Sequence, residues 1–490
     1  MTADAAPTRA AAATRSSEPA RLRLGQYLGY AAGDVANNLT FSLASAFLLI
    51  YYTDVAGIAA ATAGTLFLVV RIWGGVTDLV AGRITDATSS RWGQFRPYVL
   101  FGSIPLLLLN VALFTIPSSL TPDAKVVWAY LSYALFSLAY SFVNIPYGSL
   151  SATMTQLPDE RSRLSTARMV ASSLTILLIA IVVSPQIQNA ADLQTSLTII
   201  TVAFGVTGLV LYLWTFFTSR EVVQRPAGKV SLGQTLTMMR RNRPLVVLCA
   251  STVLCLAGMF SLQTVGVYYA RDVLNDASLF IALTVAQNVG MIVSALALPK
   301  LIDAVGKKSG FLAGGVIAAA GGVGLALAPG SQAWLGIAAF AVLGVGLGIT
   351  NTLIFAFQAD TVDYGEWRSG VRAEGSSYAV LSFTRKTGQG IGGAFAAYTI
   401  GIGGYVSGGD IQTEAAVTSI RIAAGAVPAA LAIGAVLVML AYPLTERVFR
   451  DMVAETAQRR ASGALTGEDA LGSAGSRSAG SRPDGYGDTG

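Results

Sequence analysis

The chemistry in this sequence is confined to a few polar side chains set inside long apolar runs. Tyr30, Asp34 and Asn38 recur every fourth residue, so a helix puts them on one face. Arg71, Gly74 and Asp78 form a second stripe with Thr77 beside it, and Tyr140, Asn144 and Gly148 form a third with Ser141 beside it. Tyr378, Ser382 and Lys386 form a fourth, flanked by Arg385 and Gln389, and Arg168 opens a further apolar run. A charge at mid-bilayer costs about 2.5–3.5 kcal/mol even on the lenient scale, so such groups face a cavity or pair with one another. Amides, carboxylates and the planar guanidinium suit a ligand rich in hydroxyls. A lone buried carboxylate such as Asp78 works as a proton carrier, because burial favours the neutral form. With Thr77 and Ser141 it also offers oxygens to a hard cation, which makes Asp78 the ligand a Na+ ion would use. Of the two ions, a lone carboxylate suits H+ in preference to Na+. The structural alternatives are an ion pair of Asp78 with Arg71 or Lys386, a helix-packing role for Asn38, and a topological anchor in Arg168.

The elements that position these groups follow from composition. Of 490 residues, 53% are hydrophobic and only 12% charged, half the charged share of a soluble domain. A span needs about 20 apolar residues, and such stretches fall at 26–52, 61–83, 97–117, 125–149, 165–188, 195–218, 244–269, 279–300, 309–329, 333–358, 374–403 and 420–445. The expected fold is all-α: twelve transmembrane helices in two pseudo-symmetric six-helix bundles. The expected organisation is a disordered N-terminal tail (1–24), a bundle (25–218), a polar basic linker (219–243), a second bundle (244–447) and a mostly disordered Gly/Ser-rich tail (448–490). Lys and Arg concentrate in the connections that share a side with the N-terminus, among them Arg83, Arg161, Lys307 and Arg368. Lys125, Arg271 and Arg421 lie on the other side, so both termini are expected in the cytoplasm.

The chain has no histidine, which removes histidine-based metal sites and catalytic triads. With no nucleophile–base pair and no metal-ligand cluster, the sequence does not read as an enzyme. The net charge of +6 reflects cytoplasmic loops rather than nucleic-acid binding. Cys249 and Cys255 read as small core residues. The runs GGVGLAL, GVGLGI and GIGG lie within apolar stretches and read as close helix contacts, not phosphate loops. Acid–glycine–base clusters recur after corresponding helices of the two halves. Arg83 and Asp86, Asp159, Glu160 and Arg161, and Asp363, Glu366 and Arg368 are read as cytoplasmic latches, with solvated loop charges as the alternative.

The segments YYTDVAGI (51–58), GTLFLVVRIWGGVTDLVAGRITDATSSRWGQFRPY (64–98), NIPYGSL (144–150) and ADTVDYGEWRSGVRAEGSSYAV (359–380) occur in order. In them the chain resembles the melibiose permease-like glycoside–pentoside–hexuronide:cation symporters of the major facilitator superfamily, over about residues 25–447. The resemblance implies a multi-pass inner (plasma) membrane symporter for a sugar or glycoside, coupled to H+ or Na+, with no other cofactor, acting as a monomer in the lipid bilayer. It places substrate contacts at Tyr30, Asp34, Asn38, Tyr140, Asn144, Arg168, Tyr378, Ser382, Lys386 and Gln389. It places cation coupling at Asp78, Thr77, Ser141 and Lys386. Four positions depart from it: Asn38 and Asn144 stand where the family has sugar-binding carboxylates, and Gly74 where it has a second cation-site acid. Gly148 stands in place of a stacking aromatic. These departures keep open an uncoupled facilitator, or an exporter of a drug- or lipid-like substrate.

Overall fold

The structure is a computed structural model that describes residues 22–155, 157–189, 192–222, 242–369, 374–406 and 412–461. It is helical throughout its described length. The first six helices are α1 (Leu24–Ile50), α2 (Ala60–Asp86), α3 (Arg96–Leu113), α4 (Pro122–Met154), α5 (Pro158–Asn189) and α6 (Leu193–Thr218). The next six are α7 (Arg243–Tyr268), α8 (279–305), α9 (307–327), α10 (Ala333–Ser369), α11 (Glu374–Ile402) and α12 (Glu414–Leu440). A last helix, α13 (Glu446–Ala461), occupies the start of the segment expected to be mostly disordered. It docks on α10 through Trp367, whose indole N–H donates to Glu455 Oε2 at 2.9 Å.

Ten stretches are long and apolar enough to cross a membrane by composition alone. The twelve expected spans are reconciled with that number by two local features. The stretch Leu279–Leu327 holds two helices, separated at Gly306 with φ 79° and ψ 164°, a conformation an L side chain rarely adopts. α11 falls short of the apolar threshold because it carries Ser382, Arg385, Lys386 and Gln389.

Local chemistry fixes the helix starts. Thr121 caps α4 by accepting from Ala124 N, and Asn242 caps α7 by accepting from Leu245 N, with Pro244 in the first turn. Glu221, just past α6, accepts from the backbone N–H groups of Gln94, Phe95 and Arg96 at 2.8–3.0 Å, closing the start of α3 from 125 residues away. The clusters expected in loops at 158–161 and 363–368 lie instead within α5 and α10, because helices of 32 and 37 residues continue past the apolar part of the sequence.

Within the first half, α1 packs on α5 and α6, α4 on α2 and α3, and α3 on α6. Within the second, α10 packs along α8 and α9, and α7 between α11 and α12. The Gly-rich runs make the closest approaches: a Cβ on Gly344 would lie 2.3 Å from Gln287 O, and one on Gly346 2.2 Å from Ala318 N. The halves meet mainly where α2 lies along α11, and where α1 meets α7 and α5 meets the 279–327 stretch. These contacts set the site between the halves.

Candidate functional site

A cleft enclosing about 380 Å³ opens between α1, α2, α4 and α11. Phe41, Arg71, Gly74, Ser137, Tyr140 and Lys386 line it. Tyr140 lies in the field of the charged groups Asp34, Arg71, Asp78 and Arg168. Its ring stacks between Phe41 and Phe136, with centroids at 5.4 and 6.1 Å.

On the α2–α11 side, Lys386 Nζ sits 2.5 Å from Asp78 Oδ2 and donates to Gly74 O at 3.1 Å. The pair joins the two halves near the middle of the protein. Asp78 Oδ1 is buried and has no hydrogen-bond partner. The Thr77 and Ser141 hydroxyls lie 2.8 Å apart, and their two protons are shared between that contact and the carbonyls Gly74 O and Ser137 O of their own helices. A Cβ on Gly74 would point into the same space, 3.6 Å from Lys386 Nζ and 2.6 Å from Ser137 Oγ. Arg71 does not pair with Asp78. It donates to Gln389 Oε1 at 3.2 Å and Ser45 Oγ at 3.1 Å, with its guanidinium over the Phe41 ring at 4.7 Å. Gln389 therefore belongs to Arg71, and Ser382 is half-buried without a described partner. The backbone of Tyr378 lies in α11, and its side chain is outside the described residues.

On the α1–α5 side, Arg168 reaches Asp34 Oδ1 through Nε at 3.0 Å and Nη2 at 2.9 Å. Asn38 Nδ2 donates to Asp34 Oδ2 at 3.2 Å, and Ser42 donates to Asn38 Oδ1 at 2.9 Å. Tyr30 is fully buried and already stacked on Tyr147 at 4.9 Å, so its ring supports Arg168 rather than lying free. Asn144 is half-buried and makes no hydrogen bond to a described residue, and a Cβ on Gly148 would meet open space.

The residues read as latches lie on α2, α5 and α10. Glu160 accepts from Leu22 N at 2.9 Å, Arg161 Nε donates to Thr155 O at 3.0 Å, and Arg368 bonds Tyr364 Oη at 3.0 Å. Arg83 is exposed, Asp363 is half-buried and Glu366 is buried. The side chains of Asp86 and Asp159 are outside the described residues. Lys307 pairs with Asp360, both oxygens at 2.9 Å.

One group of residues escaped the reading of the sequence. At the end of α1 far from residue 22, Asp54 pairs with Arg271 of the other half and accepts from Tyr405 Oη at 2.9 and 3.0 Å. Arg271 also grips both oxygens of Asp272, at 2.8 and 2.9 Å. Thr53 and Tyr268 hydroxyls meet at 2.8 Å beside them. The signal was present as an internal repeat: Tyr51-Tyr52-Thr53-Asp54-Val55 against Tyr268-Tyr269-Ala270-Arg271-Asp272-Val273. Both segments end their helix in a widened turn, at Tyr51–Val55 and Tyr269–Val273.

Two helical halves joined across a polar cleft define a secondary transporter of the major facilitator fold. A solved nucleoside transporter, NupG, shares this fold with TM-score 0.63 over 84% of this chain and 99% of its own, at 14% identity. The profile described as MFS/sugar transport protein matches residues 29–446. The chain is 40% identical to the glucuronide carrier protein homolog of Escherichia coli K12 over 88% of this chain and 95% of that one. It is 36% identical to the isoprimeverose transporter of Lactiplantibacillus pentosus over 77% and 80%. The chain belongs to the glycoside–pentoside–hexuronide:cation symporter family, and is a multi-pass membrane transporter rather than an enzyme.

Proposed function

We propose that the protein imports a sugar or glycoside by alternating access, driven by H+ in preference to Na+, with both termini in the cytoplasm. The observation that carries the reading is the Asp78–Lys386 pair, which joins the halves while one carboxylate oxygen stays unpartnered. Protonation of Asp78 removes its charge and releases Lys386, so a proton taken up on one side loosens α2 from α11. Substrate then binds in the cleft among Asn144, Tyr140, Lys386 and the Asp34–Arg168 pair, and the halves rock about it. In the conformation described here, the Asp54–Arg271 contact closes the face we assign to the outside. Isoprimeverose and glucuronide, in the names of the two relatives, are sugar derivatives, which supports this substrate class.

A proton suits the site better than Na+. A Na+ ion needs several hard oxygens, whereas Asp78 is the one carboxylate beside the Thr77 and Ser141 hydroxyls and Gly74 supplies no second. Among the described residues, no three acidic, histidine or cysteine side chains gather into an ion site. The test is the pH of lightly buffered, de-energised cells on adding a panel of glycosides, with and without Na+. Alkalinisation with a sugar, lost in Asp78→Asn while counterflow persists, is the expected result. Concentrative uptake by Asp78→Asn would overturn the assignment.

A further inference from the structure

A file of aromatic rings on the first half runs from the cleft to the Asp54–Arg271 contact. Tyr52 shares a helical stripe of α1 with Phe41, Ala44 and Leu48, and the first two of these line the cleft. The Tyr52 ring meets Phe67 of α2 at 6.3 Å, Phe67 meets Tyr133 of α4 at 5.9 Å, and Tyr133 meets Phe136 at 6.2 Å. Tyr133 and Phe136 are themselves cleft residues. Three helices therefore bring their cleft faces together at Tyr52, two residues before Asp54.

Tyr52 is fully buried, and its hydroxyl has no hydrogen-bond partner among the described residues. A buried hydroxyl without a partner is costly, and a phenylalanine would fill the same space without that cost. The hydroxyl is of use in a state where something polar reaches it. The packing shows how such a state arises. Phe67 lies against the other half: a Cβ on Gly393 of α11 would sit 3.3 Å from Phe67 Cδ2 and 3.7 Å from Thr264 Oγ1 of α7. When the Asp54–Arg271 contact parts, α7 and α11 withdraw from Phe67, and this corner faces the outside.

We propose that Tyr52, Phe67 and Tyr133 form an outer subsite that receives a pyranose ring on its way to the central cleft. The apolar C–H face of the sugar packs on the aromatic rings, and the Tyr52 hydroxyl bonds one hydroxyl of the sugar. The proposal rests on the sugar-transport reading above and adds a first stop to it. Closure brings α11 back onto Phe67, so the sugar passes inward before the outer contact re-forms.

The experiment measures uptake of 4-nitrophenyl β-glucoside, β-xyloside and β-glucuronide, and of monodeoxy analogues of whichever is carried, by right-side-out vesicles containing the full chain. Tyr52→Phe keeps the ring and should raise KM about five- to ten-fold without lowering Vmax, the loss of one hydrogen bond. The one analogue that lacks the hydroxyl held by Tyr52 should lose its penalty in this variant, while the others keep theirs. The Tm of Tyr52→Phe should match or exceed that of the wild type, because a hydroxyl without a partner has been removed. Phe67→Leu keeps apolar bulk without the ring face and should raise KM for all analogues alike. An unchanged KM in Tyr52→Phe, or a raised KM with every deoxy penalty intact, would reduce Tyr52 to packing beneath the outer contact. Transport of none of the three glycosides by the wild type would instead overturn the sugar reading, and this proposal with it.

Discussion

Among the described residues two ion pairs, Asp54–Arg271 and Asp78–Lys386, join the halves, and they differ in completeness. At the closed end, both oxygens of Asp54 and both of Asp272 have donors, from Arg271, Tyr405 and Thr53. In the middle, Asp78 has Lys386 on one oxygen and nothing on the other. A satisfied buried network holds a single arrangement, whereas a half-satisfied pair is poised to gain a partner or a proton. The first contact behaves as a lock and the second as a switch. Their positions fit that division, since the lock closes a passage and the switch borders the cleft.

The comparison breaks most visibly at Arg271. Arg271→Gln leaves Asp54 and Asp272 buried without their cation, a loss of about 3–5 kcal/mol for the closed arrangement. The population open at that end should rise by two orders of magnitude or more, about a factor of ten for every 1.4 kcal/mol. Phe47 lies under the lock, fully buried against Phe280. A thiol introduced by Phe47→Cys should therefore react with a membrane-impermeant maleimide far faster in the Arg271→Gln background. Cys249 and Cys255 are buried and serve as the background control. Unchanged labelling would mean that apolar packing, not the ion network, seals this end.

A smaller effect sharpens the switch. Gly74→Asp places a second carboxylate beside Lys386, at a position whose Cβ also crowds Ser137 Oγ at 2.6 Å. With Asp78, Thr77 and Ser141 it gives a hard cation several oxygens. Uptake by this variant should become stimulated by Na+, and Gly74→Asp with Ser137→Ala more so, because the crowding is relieved. Indifference of both to Na+ would show that the backbone here does not hold ion geometry, and that the proton preference is set by more than one missing acid.

What the sequence disclosed, and what it concealed, follows the same division. The twelve spans were legible because apolar length in a membrane is nearly one-dimensional information. The cost of buried charge left Arg71 and Lys386 as alternative partners for Asp78, the family resemblance placed Lys386 opposite it, and the structure pairs Asp78 with Lys386. Arg71 was misplaced as a rival for Asp78, since a helical stripe says which side a residue faces and not how far along the facing helix its partner lies. The lock was missed because Asp54 and Arg271 sit at helix ends, where charges ordinarily meet water. Their shared repeat was visible, but only the fold brings the two copies together across the halves. The latch residues were placed in loops because the apolar pattern stops before α5 and α10 do, and those helices continue through the charged clusters.

The finest test concerns Tyr405, the neutral member of the lock. Burial pushes its phenol well above the ordinary value, and the negative Asp54 beside it pushes in the same direction. The phenol thus stays protonated and donates to Asp54 at every pH below its ordinary range near 10. A raised phenol stabilises the closed form at low and neutral pH, and that stabilisation fades only as the pH climbs past the folded value. Tyr405→Phe removes one hydrogen bond to a charged group, about 1.5 kcal/mol, so labelling of the Phe47→Cys thiol should rise roughly ten-fold, less than for Arg271→Gln. The increment relative to the parent should be flat from about pH 5.5 to 8.5, after correction for thiol ionisation. A slope across that interval would show that the lock itself responds to the proton gradient instead of leaving that response to Asp78.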